Sequence, residues 1–191
     1  MQPTGQAGLG AAMKILERQT WLDDMAIPLQ QAIASGVVAG GQSARKLIAF
    51  LEGKWLGHPL HPALTDVPVG AWTVAVALDL LDGRESGRAS CRAGADRALA
   101  LGVVAALGAA ATGLADWHRT TGNTRRVGMA HALLNSGALL LMVASLVTRG
   151  AGHRAQGRLL AALGYGIAMT SAYLGGHMVF SQGMGVTTET T

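Results

Sequence analysis

The amino-acid sequence predicts an all-α integral membrane four-helix bundle with a short helical N-terminal extension. Half of the 191 residues are drawn from AVILMFWYC and only 14% are charged, whereas a soluble domain carries about 25% charged residues. The second observation is that four apolar stretches each approach 20 residues, the length of helix that crosses a bilayer. The net charge of +4 is too small to indicate a nucleic-acid partner. We therefore expect the lipid bilayer to be the main partner.

Residues 1–55 form the polar extension. Three short helices are predicted within it, near Met13–Trp21, from Asp24 toward Val37, and at Ser43–Leu51. The third is predicted to begin with Ser43 as its N-cap and to be closed by Gly53, because these residue types favour the two ends of a helix.

The third of these helices is amphipathic. Its apolar residues and the following Trp55 suit a helix that lies on the membrane surface, with Arg45 and Lys46 toward the lipid headgroups. A segment packed on the bundle, away from lipid, is the alternative interpretation.

Residues 56–186 are predicted to form the four-transmembrane-helix domain, followed by a disordered tail at 187–191. The spans extend over about 62–81, 98–115, 129–148 and 159–181. Helices satisfy their own backbone groups, as lipid-exposed segments must. Pro68 predicts a kink in the first span, because it removes the partner of a preceding carbonyl. Small residues recur four apart on the second and fourth helices, which would allow close packing or a homo-oligomer.

The polar residues of the predicted spans gather on one side. With four spans, both termini and the second connection share one side of the membrane, here called side A, and the opposite side is side B. Most of the histidines and two aspartates fall at side A: His58, His61, His118, His131, His177, Asp66 and Asp116. Ionisable residues in apolar helices are costly and usually functional. The sequence therefore predicts a His/Asp-rich site at side A, and a solvated basic surface at the arginine-rich side B.

Several motifs within residues 45–186 resemble those of one family. They are the HPLHP motif at 58–62 with the residues around it, Gly113–Trp117, His131–Asn135, Gly175–His177 and Gly183–Val186. Together they resemble a domain-of-unknown-function family of small bacterial four-helix membrane proteins. The resemblance implies a bacterial inner or plasma membrane location, and no established activity.

The same resemblance implies a redox partner protein. Relatives with this N-terminal extension are often fused to, or encoded with, a Rieske-type iron–sulfur domain. A Rieske centre requires two cysteine and two histidine ligands, whereas the chain has a single cysteine, Cys91. An iron–sulfur centre is therefore expected in a separate partner, or not at all.

The first functional hypothesis is a b-type haem in an electron-transfer component. Bundles bind haem through imidazoles on facing helices, and His131 and His177 are the predicted axial pair because both lie in apolar helices. Four further side chains would support the haem, two by orienting the imidazoles and two by pairing a propionate: Asn135, Tyr173, Arg125 and Arg126.

The second hypothesis is a transition-metal site. Mixed imidazole and carboxylate ligands suit zinc, iron or copper, and five residues near the first and second spans offer them: His58, His61, Asp66, Asp116 and His118. No nucleophile or general base stands out, so any enzymatic role would be that of an oxidoreductase component. The third hypothesis is a membrane anchor or assembly subunit for a Rieske-type or other redox partner, without a cofactor of its own.

Overall fold

The structure is a computed structural model that describes residues 4–84 and 89–185. These two ranges contain seven helices and no strand: α1 Thr4–Glu17, α2 Trp21–Ala39, α3 Gly41–Leu51, α4 Leu60–Arg84, α5 Ala89–Trp117, α6 Gly122–Gly150 and α7 Arg154–Phe180. The four helices α4 to α7 are long and apolar enough to cross a membrane. The predicted all-α membrane bundle is confirmed, while the predicted tail at 187–191 lies outside the described residues.

The spanning helices are longer than the apolar stretches that predicted them. α5 begins at Ala89 rather than near residue 98, because its charged first turns stay helical beyond the apolar core. α4 continues through Pro68 as one helix. In the extension, α3 begins at Gly41 and not at Ser43: Gly40 occupies the N-cap position and no side chain caps the helix.

The four spanning helices form two hairpins, α4–α5 and α6–α7. α4 packs against both α5 and α7, and α6 packs against the same two helices, so α4 and α6 lie on a diagonal of the bundle. The core is built largely from alanine, which lets the backbones approach closely. Its buried members are Trp72, Ala75, Leu99, Ala138, Met142, Ala161 and Ala168. Large apolar side chains such as Val104 and Leu140 point outward and are more than 60% exposed, as a lipid-facing surface requires.

The two hairpins are structurally equivalent. In the first, the indole of Trp72 lies over Gly102 of α5, and in the second the end of Met142 lies over Gly164 of α7. Equivalent residues are 70 positions apart in α4 and α6, and 62 positions apart in α5 and α7. The four spanning helices are therefore an internal repeat of two hairpins around a pseudo-two-fold axis.

The extension packs over the side-A end of the bundle. Met13 of α1 joins a cluster with Val127, Leu174 and Met178. Leu22 and Ala26 of α2 pack with Trp117 and Met129 in a neighbouring cluster, which Met184 joins from the end of the described chain. The extension and the segment after α7 therefore cover the same end of the bundle, where α4 and α6 begin.

Candidate functional site

Two imidazoles on the diagonal helices approach each other inside the side-A half of the bundle. The ring centroids of His61 in α4 and His131 in α6 are 6.3 Å apart, and the ring planes are perpendicular. These two histidines occupy equivalent positions of the two hairpins, 70 residues apart. We call them the imidazole pair.

Each imidazole of the pair is held by a backbone carbonyl of the next helix. Nδ1 of His61 lies 2.8 Å from the carbonyl oxygen of Ala109, and Nδ1 of His131 lies 2.8 Å from that of Ser171. A carbonyl can only accept, so each Nδ1 carries the proton and each Nε2 presents a lone pair. Ala109 and Ser171 are themselves equivalent residues, 62 positions apart.

Two equivalent glycines make room for the imidazole pair. A Cβ atom on Gly113 of α5 would stand 2.8 Å from Cε1 of His61, and one on Gly175 of α7 would stand 3.2 Å from Cε1 of His131. Such approaches are tighter than side chains normally tolerate. The glycines therefore allow each ring to lie flush against its neighbouring helix.

The two Nε2 atoms have different surroundings. The side-chain amide of Asn135 donates to Nε2 of His131 over 2.9 Å, as the spacing of four residues on one helix predicts. Thr65 occupies the equivalent position in α4, but its hydroxyl donates to the carbonyl of Pro62 instead. Among the described residues, none hydrogen-bonds to Nε2 of His61.

His177 belongs to a separate network. Its Nε2 lies 3.3 Å from a carboxylate oxygen of Glu17 in α1, and Gln182 donates to the same oxygen over 2.9 Å. The other carboxylate oxygen of Glu17 accepts from Asn123. The predicted axial partner of His131 is therefore joined to the N-terminal extension, while His131 is joined to α7 and to its own helix.

Arg125 and Arg126 also bind the extension. Both guanidinium groups donate to the carboxylate of Asp23 in α2 over 2.8 Å. Hydrogen bonding to Arg125, with a contribution from Arg126, holds the pKa of the Asp23 carboxyl below its usual value of 3.8. Tyr173 is 45% exposed on the outer surface of α7.

The five residues predicted as metal ligands are dispersed. His61 lies in the imidazole pair, whereas His58 and Asp66 are exposed. His118 is engaged at both ring nitrogens, by a backbone carbonyl of α5 and by the guanidinium of the next residue, and Asp116 is half-buried. Within residues 4–84 and 89–185, no group of three or more His, Cys, Asp or Glu side chains is arranged to hold a metal ion.

Comparison with known families gives one match. A family model described as "Predicted membrane protein (DUF2231)" matches residues 57–188. The chain belongs to the DUF2231 family. The match covers both hairpins and the imidazole pair, and α1 to α3 precede it. No curated protein and no solved structure matches the chain.

The side-B end of the DUF2231 domain holds a feature that sequence reasoning missed. Arg149 of α6 donates to both carboxylate oxygens of Asp79 in α4 and also contacts Asp96 of α5 over 3.0 Å. The side chains of Arg149 and Asp79 are only 2% and 7% exposed. The prediction of a solvated basic surface is wrong here, because aspartates near the helix ends neutralise the arginines inside the bundle.

Further ion pairs extend this network across the four spanning helices. Asp82 accepts from Arg92 over 2.9 Å, and lies 3.4 Å from Arg158. Arg154 pairs with Asp96 over 3.0 Å. One signal in the sequence pointed to the network: Asp79 and Arg149 are 70 positions apart, so they occupy equivalent positions and meet across the pseudo-two-fold axis.

Proposed function

We propose that this DUF2231 protein is an electron-transfer component of the membrane that holds a b-type haem between His61 and His131. The observation that carries the proposal is the spacing of the imidazole pair. A ring nitrogen lies about 1.1 Å from its ring centroid and binds a transition metal at about 2.0–2.1 Å, so two imidazoles on opposite sides of one metal have centroids about 6.3 Å apart. The centroids of the imidazole pair are 6.3 Å apart.

The hydrogen bonds of the pair suit axial ligation. Metal-binding histidines almost always donate their other ring N–H to a carbonyl, a carboxylate or water. Both Nδ1 atoms have backbone carbonyls as partners, which leaves the Nε2 lone pair of His61 open to a metal, and that of His131 open once the Asn135 amide is displaced. A haem held there would supply one-electron redox chemistry, with the two imidazoles setting its potential.

The proposal keeps one of the two predicted axial ligands and replaces the other. His131 stays, and His61 takes the place of His177, because Nε2 of His177 is bound to Glu17 in the extension. The amide of Asn135 donates a hydrogen bond to Nε2 of His131, so it would have to move aside for that nitrogen to bind a metal. A Rieske-type electron partner remains a prediction that rests on the family resemblance.

A cofactor-free anchor or assembly subunit is the second candidate. The hydrogen bond from Asn135 to Nε2 of His131 favours it, because that imidazole is already satisfied at both nitrogens within the protein. The extension over side A would then serve as the docking surface for a redox partner. The two candidates differ in one measurable respect, which is whether the purified protein carries a chromophore.

The test is an absorption spectrum of the full-length protein, purified in detergent from cells supplied with haem, before and after dithionite reduction. We expect a Soret band that shifts on reduction, and haem near one per chain. His61→Ala and His131→Ala should each lose it, whereas His58→Ala, at an exposed position of the same motif, and His177→Ala should retain it. Size-exclusion chromatography checks folding, and His61→Met should keep the haem with an altered spectrum.

Two results would overturn the proposal. Protein without haem, from haem-supplied cells, would leave the cofactor-free anchor, and elemental analysis of the same sample would detect a non-haem metal. Loss of haem in His177→Ala with retention in His61→Ala would restore the originally predicted axial pair. If neither haem nor another metal were bound by the pair, its spacing would be a feature of packing alone.

A further inference from the structure

The helix α3 and the turn after it expose an apolar surface that the bundle does not cover. Leu47, Phe50, Trp55 and Leu56 are 58%, 55%, 61% and 46% exposed. α3 has no buried residue at all, whereas α2 buries Leu22 and Ala26 against the bundle. We call the first three of these exposed residues, Leu47, Phe50 and Trp55, the apolar flank.

The exposed side of α3 divides into two flanks. At 3.6 residues per turn, Gln42 lies about 140° from Leu47 around the helix. Arg45 lies opposite Leu47 and Phe50, whereas Gln42 lies beside Arg45, about 80° from Phe50. Lys46 lies between Gln42 and Phe50, and Ser43 lies between Phe50 and Leu47, while Ala44 and Ile48 face the bundle and are half-buried. Such a division is typical of a helix that lies at a boundary between lipid and water.

The aromatic residues of the apolar flank expose no unpaired hydrogen-bond donor. The rings of Phe50 and Trp55 stack with centroids 5.7 Å apart and planes 13° from parallel. The indole N–H of Trp55 donates to the backbone carbonyl of Phe50 over 3.2 Å. Because the donor is satisfied internally, the ring pair enters lipid without the cost of an unpaired polar group.

The apolar flank also lies next to the membrane-spanning surface. Trp55 precedes the first residue of α4, Leu60, by five residues, which span at most about 18 Å. The turn between α3 and α4 is tight: Gly53 has φ +75°, and any Cβ on it would collide with the carbonyl of His58. The start of the first span therefore keeps α3 close to the level of the headgroups.

From these observations we infer that α3 is an interfacial anchor, with Leu47, Phe50 and Trp55 immersed at the boundary between headgroups and acyl chains on side A. Arg45 and Lys46 then face the headgroup phosphates, which attract cations most strongly in anionic membranes. The inference does not depend on the haem proposal, since none of these residues contacts the imidazole pair.

The test is spin-label accessibility in the full-length protein reconstituted into vesicles of zwitterionic and anionic phospholipids. In a Cys91→Ser background, single nitroxides are attached after Leu47→Cys, Phe50→Cys or Gln42→Cys. Leu140→Cys provides the lipid-facing reference, because Leu140 is 69% exposed on α6. Oxygen, which partitions into lipid, and a water-soluble nickel chelate serve as relaxing agents.

We expect oxygen to dominate over the nickel chelate at positions 47 and 50, as at the reference position, and the reverse at position 42. Dominance of the chelate at 47 and 50 would place the flank in water and overturn the inference. Low accessibility to both agents at 47 and 50 would also overturn it, because it would mean that a second copy of the chain covers the flank. Leu47→Cys preserves the ring pair and is therefore the decisive position.

Discussion

The two hairpins carry the same residue at one of three equivalent levels and different residues at the other two, and the comparison shows where the bundle is held together. At side A, equivalent positions hold two histidines; midway, Trp72 corresponds to Met142; at side B, Asp79 meets Arg149. Opposite charges attract across the pseudo-two-fold axis, whereas two imidazoles of the same tautomer present like lone pairs to the interior. The side-B level is therefore where the loss of one partner should be most costly, and the side-A level is available for chemistry.

Removing Arg149 should cause the largest loss in the free energy of unfolding, because it breaks the buried ion pair at side B. Arg149→Met leaves the buried carboxylate of Asp79 without its main cation, and breaking a buried pair from one side costs about 3–5 kcal/mol. Equilibrium unfolding of the purified protein in mixed detergent micelles measures the loss. Arg97→Ala, on the exposed surface of α5, is the matched control and should change stability by less than about 0.5 kcal/mol.

Exchanging the two charges tests the equivalence of the hairpins directly. The double variant Asp79→Arg with Arg149→Asp restores a cation opposite an anion, so it should be more stable than Arg149→Met. Recovery will be partial, because Arg149 also hydrogen-bonds to Ser145 and Asp96. If Arg149→Met proved as mild as the Arg97 control, the side-B network would not hold the hairpins together.

Alanine substitutions of the glycines at the middle level should destabilise the two hairpins by different amounts. Gly102→Ala pushes a Cβ into the rigid indole of Trp72, and overpacking of this kind costs about 1–3 kcal/mol. Gly164→Ala should cost less, because its Cβ would stand 3.1 Å from Cβ of Leu141, 3.2 Å from the carbonyl oxygen of Ala138 and 3.3 Å from the end of Met142, all farther than the 2.3 Å approach to Trp72 at Gly102. Gly108→Ala meets nothing within 4 Å and should be neutral or slightly stabilising. The same unfolding assay measures all three, and any other ranking would contradict the tighter packing of the first hairpin at this level.

Acid should release the extension from the second hairpin. This is the smallest of the expected effects. The pKa of Asp23 is lowered by Arg125 and Arg126 of α6. Its contribution is therefore fully present above the ordinary carboxyl pKa of 3.8 and is lost as the pH falls through the lower value of the folded protein. Hydrogen–deuterium exchange of α2 amides, corrected for intrinsic rates, should rise in that range.

Asp23→Asn removes the titrating group, so α2 should already exchange faster at neutral pH and show no further acid-dependent step. Asp24→Asn changes an exposed neighbour and should behave as the wild type does. An unchanged acid-dependent step in Asp23→Asn would assign the release to another carboxylate.

The number and order of the spanning helices could be predicted because both follow from apolar length alone. The ends could not: the turn of α5 that contains Arg92 and Asp96 is too charged to count as a span, yet those residues find partners on neighbouring helices. Similarly, the predicted Ser43 cap is absent because α3 continues almost directly from α2, with Gly40 between them.

Within the candidate site, contacts along one helix were predictable and contacts between helices were not. The pairing of Asn135 with His131 depends only on helical spacing. The meeting of His61 with His131 depends on the register between α4 and α6, which is the register that also brings Asp79 to Arg149 at the other end of these helices. Equivalent residues of α4 and α6 are 70 positions apart in the sequence, but only the packing of the helices shows which residues are equivalent.

The unequal offsets of the repeat have a practical consequence for protein engineering. Because equivalent residues are 70 positions apart in α4 and α6 but 62 apart in α5 and α7, the first hairpin has eight more residues than the second between equivalent positions of its two helices. The second hairpin closes with only Ala151, Gly152 and His153 between its helices. A connection of that length therefore suffices for this geometry, and the longer first hairpin is the better choice for inserting a reporter domain or a fiducial marker.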